Sequence, residues 1–448
     1  MSFFVSMIRS YNHQRAMVSF LKRSEMWSKY KWENYQLESL KKILSHCYDQ
    51  VPYYKKLLTK YDIKIENINS LNDLNKIPFL TRQIVEKNRK ELKAKNFPEK
   101  AFEKKKTSGT TNEPLTFYVN KEKWLSRHFA YNREFMKRGG YKRGKRTVSI
   151  LGIRKKQRFH RMLNTLELSS LYLDQSCEFY VKKIEEFHPH YIVSYPSAIY
   201  FLAKFLLETQ ISLTFDINAI FCHGEPVYDW QRETIEKGFH CKLFDIYGNG
   251  EKNVMSATCE KSYLHHVFPN YCFLELIDIN GKPVTTEGSF GEIVSTGLQS
   301  YIFPFIRYKT GDIGIYTNQT CSCGRQYPIL KRIEGRITDG VLTKNETLII
   351  ASDLNKVISK HSKGVFKWQF LQKNKGELQL FLVLYSNNFS VTTIKKNIKN
   401  AFKQTFSNQF DISIKIVKSL KNKSSRKHHF LIQKLPVNVL NVRNFKKS

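Results

Sequence analysis

Apolar positions near the start of the chain recur at helical spacing. Leu37, Leu40, Ile43 and Leu44 form one such stripe and precede Val51-Pro52-Tyr53-Tyr54, where proline breaks the period. Residues 1 to about 80 therefore read mostly as helix, and a second helical stretch is predicted over about Thr81 to Lys95. From about 145 to 300, short apolar runs alternate with amphipathic stretches. Thr147 to Ile153, Tyr191 to Val193, Ala219 to Cys222 and Cys241 to Ile246 read as buried strands, with Ser197 to Leu207 and Tyr228 to Phe239 as helices between them. Alternation of this kind predicts an α/β layered domain. Tyr271 to Ile279 and Gly291 to Thr296 follow as strands, with Asn280-Gly281-Lys282-Pro283 as a turn. Beyond about 336, Gly364 to Phe370, Glu377 to Tyr385 and Ile412 to Val417 read as strands and Val391 to Phe406 as a helix. That is a small α+β domain of about 110 residues. The pattern thus predicts a large domain over 1–335 and a small one over 336–448, meeting near Gly335 to Gly340.

Composition narrows the class. A chain of 448 residues can bury a sizeable core. No apolar run reaches the roughly 18 residues of a membrane helix. The first 22 residues lack a sustained apolar segment or a small-residue cleavage site, so a cytoplasmic protein is expected. Eight cysteines in a chain this long do not suggest a disulfide scaffold. The formal net charge of +35 raises nucleic-acid binding, attraction to an anionic membrane surface, or background basicity. Basic clusters occur at Lys142-Arg143-Gly144-Lys145-Arg146 and at Arg154-Lys155-Lys156-Gln157-Arg158. No helix-turn-helix, zinc-finger helix or aromatic RNA-binding signature accompanies them, so no specific nucleic-acid partner is expected. Peripheral attraction to an anionic membrane stays open, and the charge would also draw in an anionic substrate.

Several short motifs carry chemistry. Thr107-Ser108-Gly109-Thr110-Thr111-Asn112-Glu113-Pro114 follows Lys104, Lys105 and Lys106. It can offer hydroxyls and backbone N–H groups to phosphate oxygens, although it lacks the Gly-Lys-Ser/Thr ending of a Walker loop. Tyr247-Gly248-Asn249-Gly250-Glu251 follows a predicted strand; its glycines permit a tight turn, its tyrosine offers a flat face to a base, and Glu251 can hold Mg²⁺. Arg307-Tyr308-Lys309-Thr310-Gly311-Asp312 sets a carboxylate after a cationic strand end, where it can accept two hydrogen bonds from a ribose diol. Gly335-Arg336-Ile337-Thr338-Asp339-Gly340 suits a hinge. Cys321-Ser322-Cys323, Cys259 and the pair His265-His266 make a Cys₃His set, which would be structural because it closes the coordination sphere. Each motif alone also has a plain reading: a polar surface turn, a strand-end turn, a charged β-turn, a linker, or unliganded cysteines. The basic run Ser424 to His429 enters a short strand and could be a solvated face, or could bring a mobile lysine to a site on the large domain.

Taken in order, these pieces resemble the adenylate-forming superfamily, specifically its phenylacetate–CoA ligase-like branch, which includes adenylating proteins associated with capsular polysaccharide synthesis. The resemblance runs from Leu40–Tyr54 and Ile77–Arg82 through the Thr107–Pro114 loop, Ser194–Ser197, His223–Pro226, Tyr247–Glu251, Arg307–Gly314 and Cys321–Arg325 to Gly335–Asp339. It implies a large layered α/β adenylation domain with a helical N-terminal part and a small α+β lid. The activity implied is ATP-dependent adenylation of a carboxylic acid, with transfer to CoA or to another acyl acceptor. Thr107, Ser108, Gly109, Thr110 and Thr111 would hold the β- and γ-phosphates. Gly224, Glu225 and Pro226 would line the adenine pocket, with Tyr247 stacked on the base beside Gly248. Glu251 would bind Mg²⁺, Asp312 the ribose, and Arg336 would lie near the nucleotide. Asp339 would be the hinge, and Lys427 the catalytic lysine, with Arg426 where the family usually has glycine. Rotation about Asp339 would withdraw Lys427 and admit the thiol. Zinc is implied at Cys259, Cys321, Cys323 and one histidine: His266 fits the family's spacing better, and His265 stays open. Three departures mark the chain: Asn112 for a loop glycine, Gly250 for a Ser or Thr, and Thr338 for an acidic residue beside the hinge. Aromatic residues between about 125 and 260, with Trp124, Phe129 and Tyr195, are candidates for the acid pocket.

Overall fold

The computed structural model describes residues 2–107, 114–153, 155–385, 389–420 and 427–437, with side chains from residue 9 onward. The chain divides into two compact units, Met1–Arg138 with Ile246–Ile333, and Gly139–Asp245 with Glu334–Ser448. Among the described residues no helix is long and apolar enough to cross a membrane.

The first unit opens on helices Ser2–Ser24, Lys29–Gln50 and Pro52–Lys60. Pro52 does end the long helix, as its lack of an N–H requires. It then occupies the first turn of the next helix, where that N–H is not needed. The stripe Leu40, Ile43, Leu44 and Cys47 is buried and packs with Tyr54, Phe117, Phe303, Phe305 and Tyr308 in one core. After residue 60 the chain forms short 3₁₀ turns in place of the expected helix. The helix predicted over Thr81–Lys95 is only Arg82–Lys87. Asn88 caps it, with its backbone N–H and its side-chain amide both donating to the Ile84 carbonyl at 2.9 Å. The Thr107–Pro114 loop is carried by a hairpin, Phe102–Lys106 against Thr116–Asn120. The remaining strands are antiparallel: Cys272–Ile277 pairs with Phe290–Gly297, which pairs with Tyr308–Tyr316.

The second unit is the α/β layer. Thr147–Leu151 lies parallel between Thr165–Ser169 and Tyr191–Ser194, and the latter is parallel to Ala219–His223. Gln157–His160 closes one edge, antiparallel to Thr165–Ser169. Helices Pro196–Thr209 and Asp229–Phe239 occur as expected. In the C-terminal segment, Val365–Gln372, Glu377–Leu384, Asp411–Ile416 and Leu431–Gln433 form a four-stranded sheet with helices Ala351–His361 and Val391–Phe406. The predicted α/β class with a small α+β segment is what the chain adopts.

The helix Pro196–Thr209 joins these parts. It is buried along nearly its whole length, so its sequence is apolar on all sides. Tyr200 and Phe201 pack edge-to-face on Trp368. Phe201 also meets Phe366 and Phe430, and Phe205 meets Tyr385. Lys204 is 6% exposed and donates to the carbonyls of Ser362, at 2.9 Å, and Val365, at 2.5 Å. One hydrophobic core therefore runs from the α/β layer through this helix into the C-terminal sheet.

Two buried amines in this core make stability depend on pH. Burial pulls Lys367 from 10.5 down to about 7, and pulls Lys204 down to about 8 against the opposing charge of Glu208. The folded state thus binds fewer protons than the unfolded state as pH falls from 10.5 through these values, and stability is lost on the way down. Between about pH 7 and 9 the unfolding midpoint should rise with pH, and Lys367→Met should show a smaller rise than wild type in the same denaturant titration.

Candidate adenylation site

Each unit brings part of the expected site together. In the first unit, the base of the phosphate loop is closed by Thr107 and Leu115. The Thr107 N–H donates to the Leu115 carbonyl, and Thr107 Oγ1 accepts from the Leu115 N–H, both at 3.0 Å. Ser108, Gly109, Thr110, Thr111 and Asn112 lie outside the described residues. Gly250, one of the departures, faces Thr107: a Cβ at 250 would stand 3.2 Å from Thr107 Cγ2. The missing side chain thus makes room for the threonine at the loop's base.

The turn carrying Tyr247 and Glu251 is pinned from behind. Asn249 donates to Asn253 Oδ1 at 2.5 Å, and Asn253 donates to Ser295 Oγ at 2.6 Å. Tyr247 donates its hydroxyl to Asp312 Oδ2 at 2.7 Å, which joins the expected base platform to the expected ribose carboxylate. Burial, and then the charge of Asp312, push the Tyr247 hydroxyl well above its ordinary value, so it stays a donor. Gly311, with φ +75°, lets the strand turn so that its N–H reaches Glu292 at 3.2 Å just before Asp312. Tyr308 donates to Glu251 Oε1 at 2.8 Å. Sequence reasoning missed Tyr308, and only its strand alternation with Thr310 and Asp312 could have pointed to it. Arg307, the cationic strand end of the sequence, is turned inward. It is buried, its guanidinium grips Glu275 at 2.7 and 3.1 Å, and it donates to the carbonyls of Asn75 and Ile77.

In the second unit, Gly224 follows the strand Ala219–His223 at φ +85°. A Cβ there would lie 3.1 Å from Lys427 Nζ and 3.3 Å from Tyr195, so both conformation and space require glycine. Lys427 Nζ donates to the Gly224 carbonyl and stands 5.6 Å from the Tyr195 ring centre. The lysine predicted from a weak match is therefore docked on the loop predicted to hold adenine. Glu225 Oε2 accepts from the Ser197 N–H at 3.0 Å, in the first turn of the buried helix, while its Oε1 is buried without a hydrogen bond. Burial pushes the Glu225 carboxyl up, and the charge of Lys427 opposes it. Gly335 packs against the same loop: a Cβ there would meet Pro226 Cγ at 3.2 Å. Burial, then the charges of Lys427 and Arg336, push His429 down, so both cations act on this side of the unit. Thr338 is no spare polar group on a surface turn; its hydroxyl is buried without a hydrogen bond. Of the aromatic candidates for the acid pocket, Tyr195 lies beside Lys427. Phe129 is exposed, and Trp124 donates its indole N–H to Glu103 at 2.7 Å.

His428 is a second residue that sequence reasoning did not single out. Its ring meets Phe201 and Phe430 edge-on at 5.1 and 4.5 Å, and Nε2 bonds the Trp368 carbonyl at 2.9 Å. Burial, then the charge of Lys367, hold it well below the ordinary imidazole range, so the ring is neutral and donates that proton. The neutral ring thereby fixes the residue next to Lys427 against the buried helix.

A separate cluster lies in the first unit. Cys259, His266, Cys321 and Cys323 place their ligand atoms within 4.8 Å of one another. Cys259 and Cys321 are 3.6 Å apart, and Cys323 Sγ is 3.3 Å from His266 Nε2. His266 Nδ1 bonds the Leu264 carbonyl at 3.0 Å, which leaves Nε2 for the cluster. His265 lies apart, with Nδ1 on Ser256 Oγ at 3.2 Å. Burial, then the charge of Arg138, push His266 down to about 4.

The fold is that of acyl-CoA ligases. A crystal structure of 2-hydroxyisobutyryl-CoA ligase in the postadenylation state in complex with 2-HIB-AMP superposes with a TM-score of 0.73 at 18% identity, covering 92% of each chain. Residues 341–434 match the family described as CapK C-terminal domain. The chain is 26% identical to Protein CapK of Staphylococcus aureus over 86% of its own length and 85% of that protein's. It is 25% identical to the phenylacetate-coenzyme A ligase of Thermus thermophilus over 77% of its own length and 78% of that ligase's. The chain is thus a homologue of CapK and of the phenylacetate–CoA ligases, as the ordered motifs implied.

The anchoring of Lys427 can be tested directly. In His428→Leu the hydrogen bond to Trp368 is gone while the volume is kept. Lys427 should then become several-fold more reactive toward an amine-acylating reagent, read on its own peptide by mass spectrometry, with the unfolding midpoint little changed.

Proposed function

We propose that this protein activates a carboxylic acid with ATP. A carboxylate oxygen attacks the α-phosphorus, the bond from that phosphorus to the β-phosphate bridge breaks, and pyrophosphate leaves. The acyl-adenylate then gives its acyl group to CoA, releasing AMP. The observation that carries this reading is Lys427 docked on the Gly224–Pro226 loop, because a cation there can meet charge developing on the phosphoryl oxygens. The relatives named as phenylacetate-coenzyme A ligases support the reaction class.

In this reading Thr107 to Thr111 hold the β- and γ-phosphates, and Gly224, Glu225 and Pro226 line the adenine pocket. Tyr247 stacks on the base beside Gly248. Its bond to Asp312 sets that carboxylate for the ribose hydroxyls. Arg336 lies near the nucleotide, and Asp339 is the hinge between a domain over 1–335 and a lid over 336–448. Glu251 is a hard oxygen donor oriented by Tyr308, which suits Mg²⁺, and Mg²⁺ there would neutralise phosphate charge. Zinc fits the Cys259–His266–Cys321–Cys323 cluster: thiolates and imidazole about 2.0–2.3 Å from a tetrahedral ion lie roughly 3.5–4 Å apart. It would tie two loops and take no part in the chemistry. ATP and CoA as substrates go with a cytoplasmic setting, and no specific nucleic acid is involved.

A second acceptor is favoured by one feature. If CoA enters only after the C-terminal segment swings away, the apolar face of Pro196–Thr209 must be uncovered first, and that face is large and aromatic. An acceptor that attacks while Lys427 stays docked needs no such step. An amino- or hydroxyl-bearing sugar in surface-polysaccharide synthesis is then the alternative, in line with the CapK relative and the capsule-associated members of the branch.

Carboxylate-dependent exchange of labelled pyrophosphate into ATP should be present in wild type and fall by about 10²–10³-fold in Lys427→Ala and in Glu251→Ala. Folded protein with no exchange across a broad acid panel contradicts the proposal. Free CoA consumed in step with the acid selects the CoA route over the sugar route. Metal analysis of the purified protein should find about one zinc per chain, lost in Cys321→Ser together with a lower unfolding midpoint.

A further inference from the structure

The basic cluster Lys142–Arg146 has no role in the proposed adenylation chemistry, yet the fold sets it beside an exposed apolar turn. Gln157–His160 is the edge strand of the second unit's parallel layer, and the turn Arg161–Leu163 follows it. On this edge Phe159 is 53%, Met162 99% and Leu163 54% exposed. A methionine fully in water at a turn tip, with two large apolar neighbours, is not the scattered exposure of an ordinary surface. The turn is well fixed. Asn164 closes it in the left-handed region at φ 46°, with its N–H on the Arg161 carbonyl at 3.2 Å. The Asn164 amide donates to the Gly144 carbonyl at 3.0 Å, and the Thr147 N–H donates to the Asn164 carbonyl at 3.1 Å. These bonds tie the apolar tip to the turn Lys142–Arg146.

The charge around the tip is mainly positive. Lys142, Arg143, Lys145 and Arg146 in the neighbouring turn, Arg161 in the tip and Arg158 on the strand leading to it are all exposed, whereas Lys155 and Lys156 lie at the far end of that strand, beside Ser169. The one carboxylate within the strand pair is Glu167, opposite Arg158 and held by His160 at 2.9 Å. Apolar side chains at the apex with cations around them match the chemistry of a bilayer interface, with acyl chains for the tip and phosphate headgroups for the rim. A nucleic-acid surface would need open aromatic faces or a groove. Here Phe159, the aromatic ring of the tip, leans edge-on against Phe187 at 5.9 Å.

We propose that this edge is a peripheral docking surface for a membrane bearing anionic headgroups. Each lysine or arginine brought to such a surface adds roughly fivefold to the partition, and the apolar tip supplies the part that salt does not screen.

The test is co-sedimentation of the full chain with phosphatidylcholine vesicles, with and without phosphatidylglycerol. Wild type should pellet with the phosphatidylglycerol vesicles and not with phosphatidylcholine alone, and added salt should weaken the binding. The double variant Met162→Ser/Leu163→Ser should lose about tenfold or more of the partition, with its unfolding midpoint and pyrophosphate exchange unchanged. Lys142→Glu/Arg143→Glu should lose binding as well. Equal partition of wild type into both vesicle types overturns the proposal. So does a tip variant that binds like wild type, because binding then follows net positive charge alone, as it would for a nucleic acid. A tip variant that abolishes self-association in sedimentation velocity while leaving vesicle binding intact assigns the edge to a second copy of the chain and also overturns it.

Discussion

Lys427 can face the Gly224 carbonyl only because the helix Pro196–Thr209 is buried between the α/β layer and the C-terminal sheet. Its first turn gives the Ser197 N–H to Glu225, its middle sets Phe201 against His428, and its last turns carry Lys204 to the carbonyls of Ser362 and Val365. The three contacts fix the Gly224–Pro226 loop, the segment carrying Lys427 just before the strand Leu431–Gln433, and the start of the C-terminal sheet against one rigid element. A buried ammonium costs free energy unless its donors are used, and Lys204 uses them on carbonyls at the end of another helix, where a cation is favoured. The apolar contacts around it supply the main favourable term.

In the proposed reaction, this arrangement sets catalysis and lid motion in competition. Holding Lys427 in place serves a step in which negative charge builds on phosphoryl oxygens, and preorganised donors are most effective there. Releasing it exposes Tyr200, Phe201, Phe205, Trp368 and Phe430 together. A polar interface would let the segment swing at little cost, whereas an aromatic one raises the free energy of every intermediate opening. In that proposal, the choice of acyl acceptor depends on the physics of this helix as well as on a binding pocket.

Much of this was legible in the sequence, for identifiable reasons. The buried strands and the helix Val391–Phe406 announced themselves through period, and the motif order pointed to the superfamily because each short motif meets a separate chemical requirement. Gly224 entered only through the resemblance, and its φ of +85° is what favours glycine there. What could not be read depended on contacts far apart in sequence. Tyr308 on Glu251 and His428 on Phe201 look like ordinary strand and tail residues until the fold joins them. Arg307 read only as a cationic strand end, and the position of Glu275 shows it is an internal clamp. The hairpin around the Thr107 loop was hidden because its first strand, Phe102–Lys106, is almost entirely charged.

The central claim is attack of a carboxylate on the α-phosphorus, and isotope transfer tests it most directly. With acid labelled by heavy oxygen in its carboxylate, the bond chemistry places one labelled oxygen in AMP when the acyl group leaves for its acceptor. Mass analysis of the AMP formed in a single turnover should find that label. Label in inorganic phosphate, or unlabelled AMP formed in step with acyl product, would contradict the account.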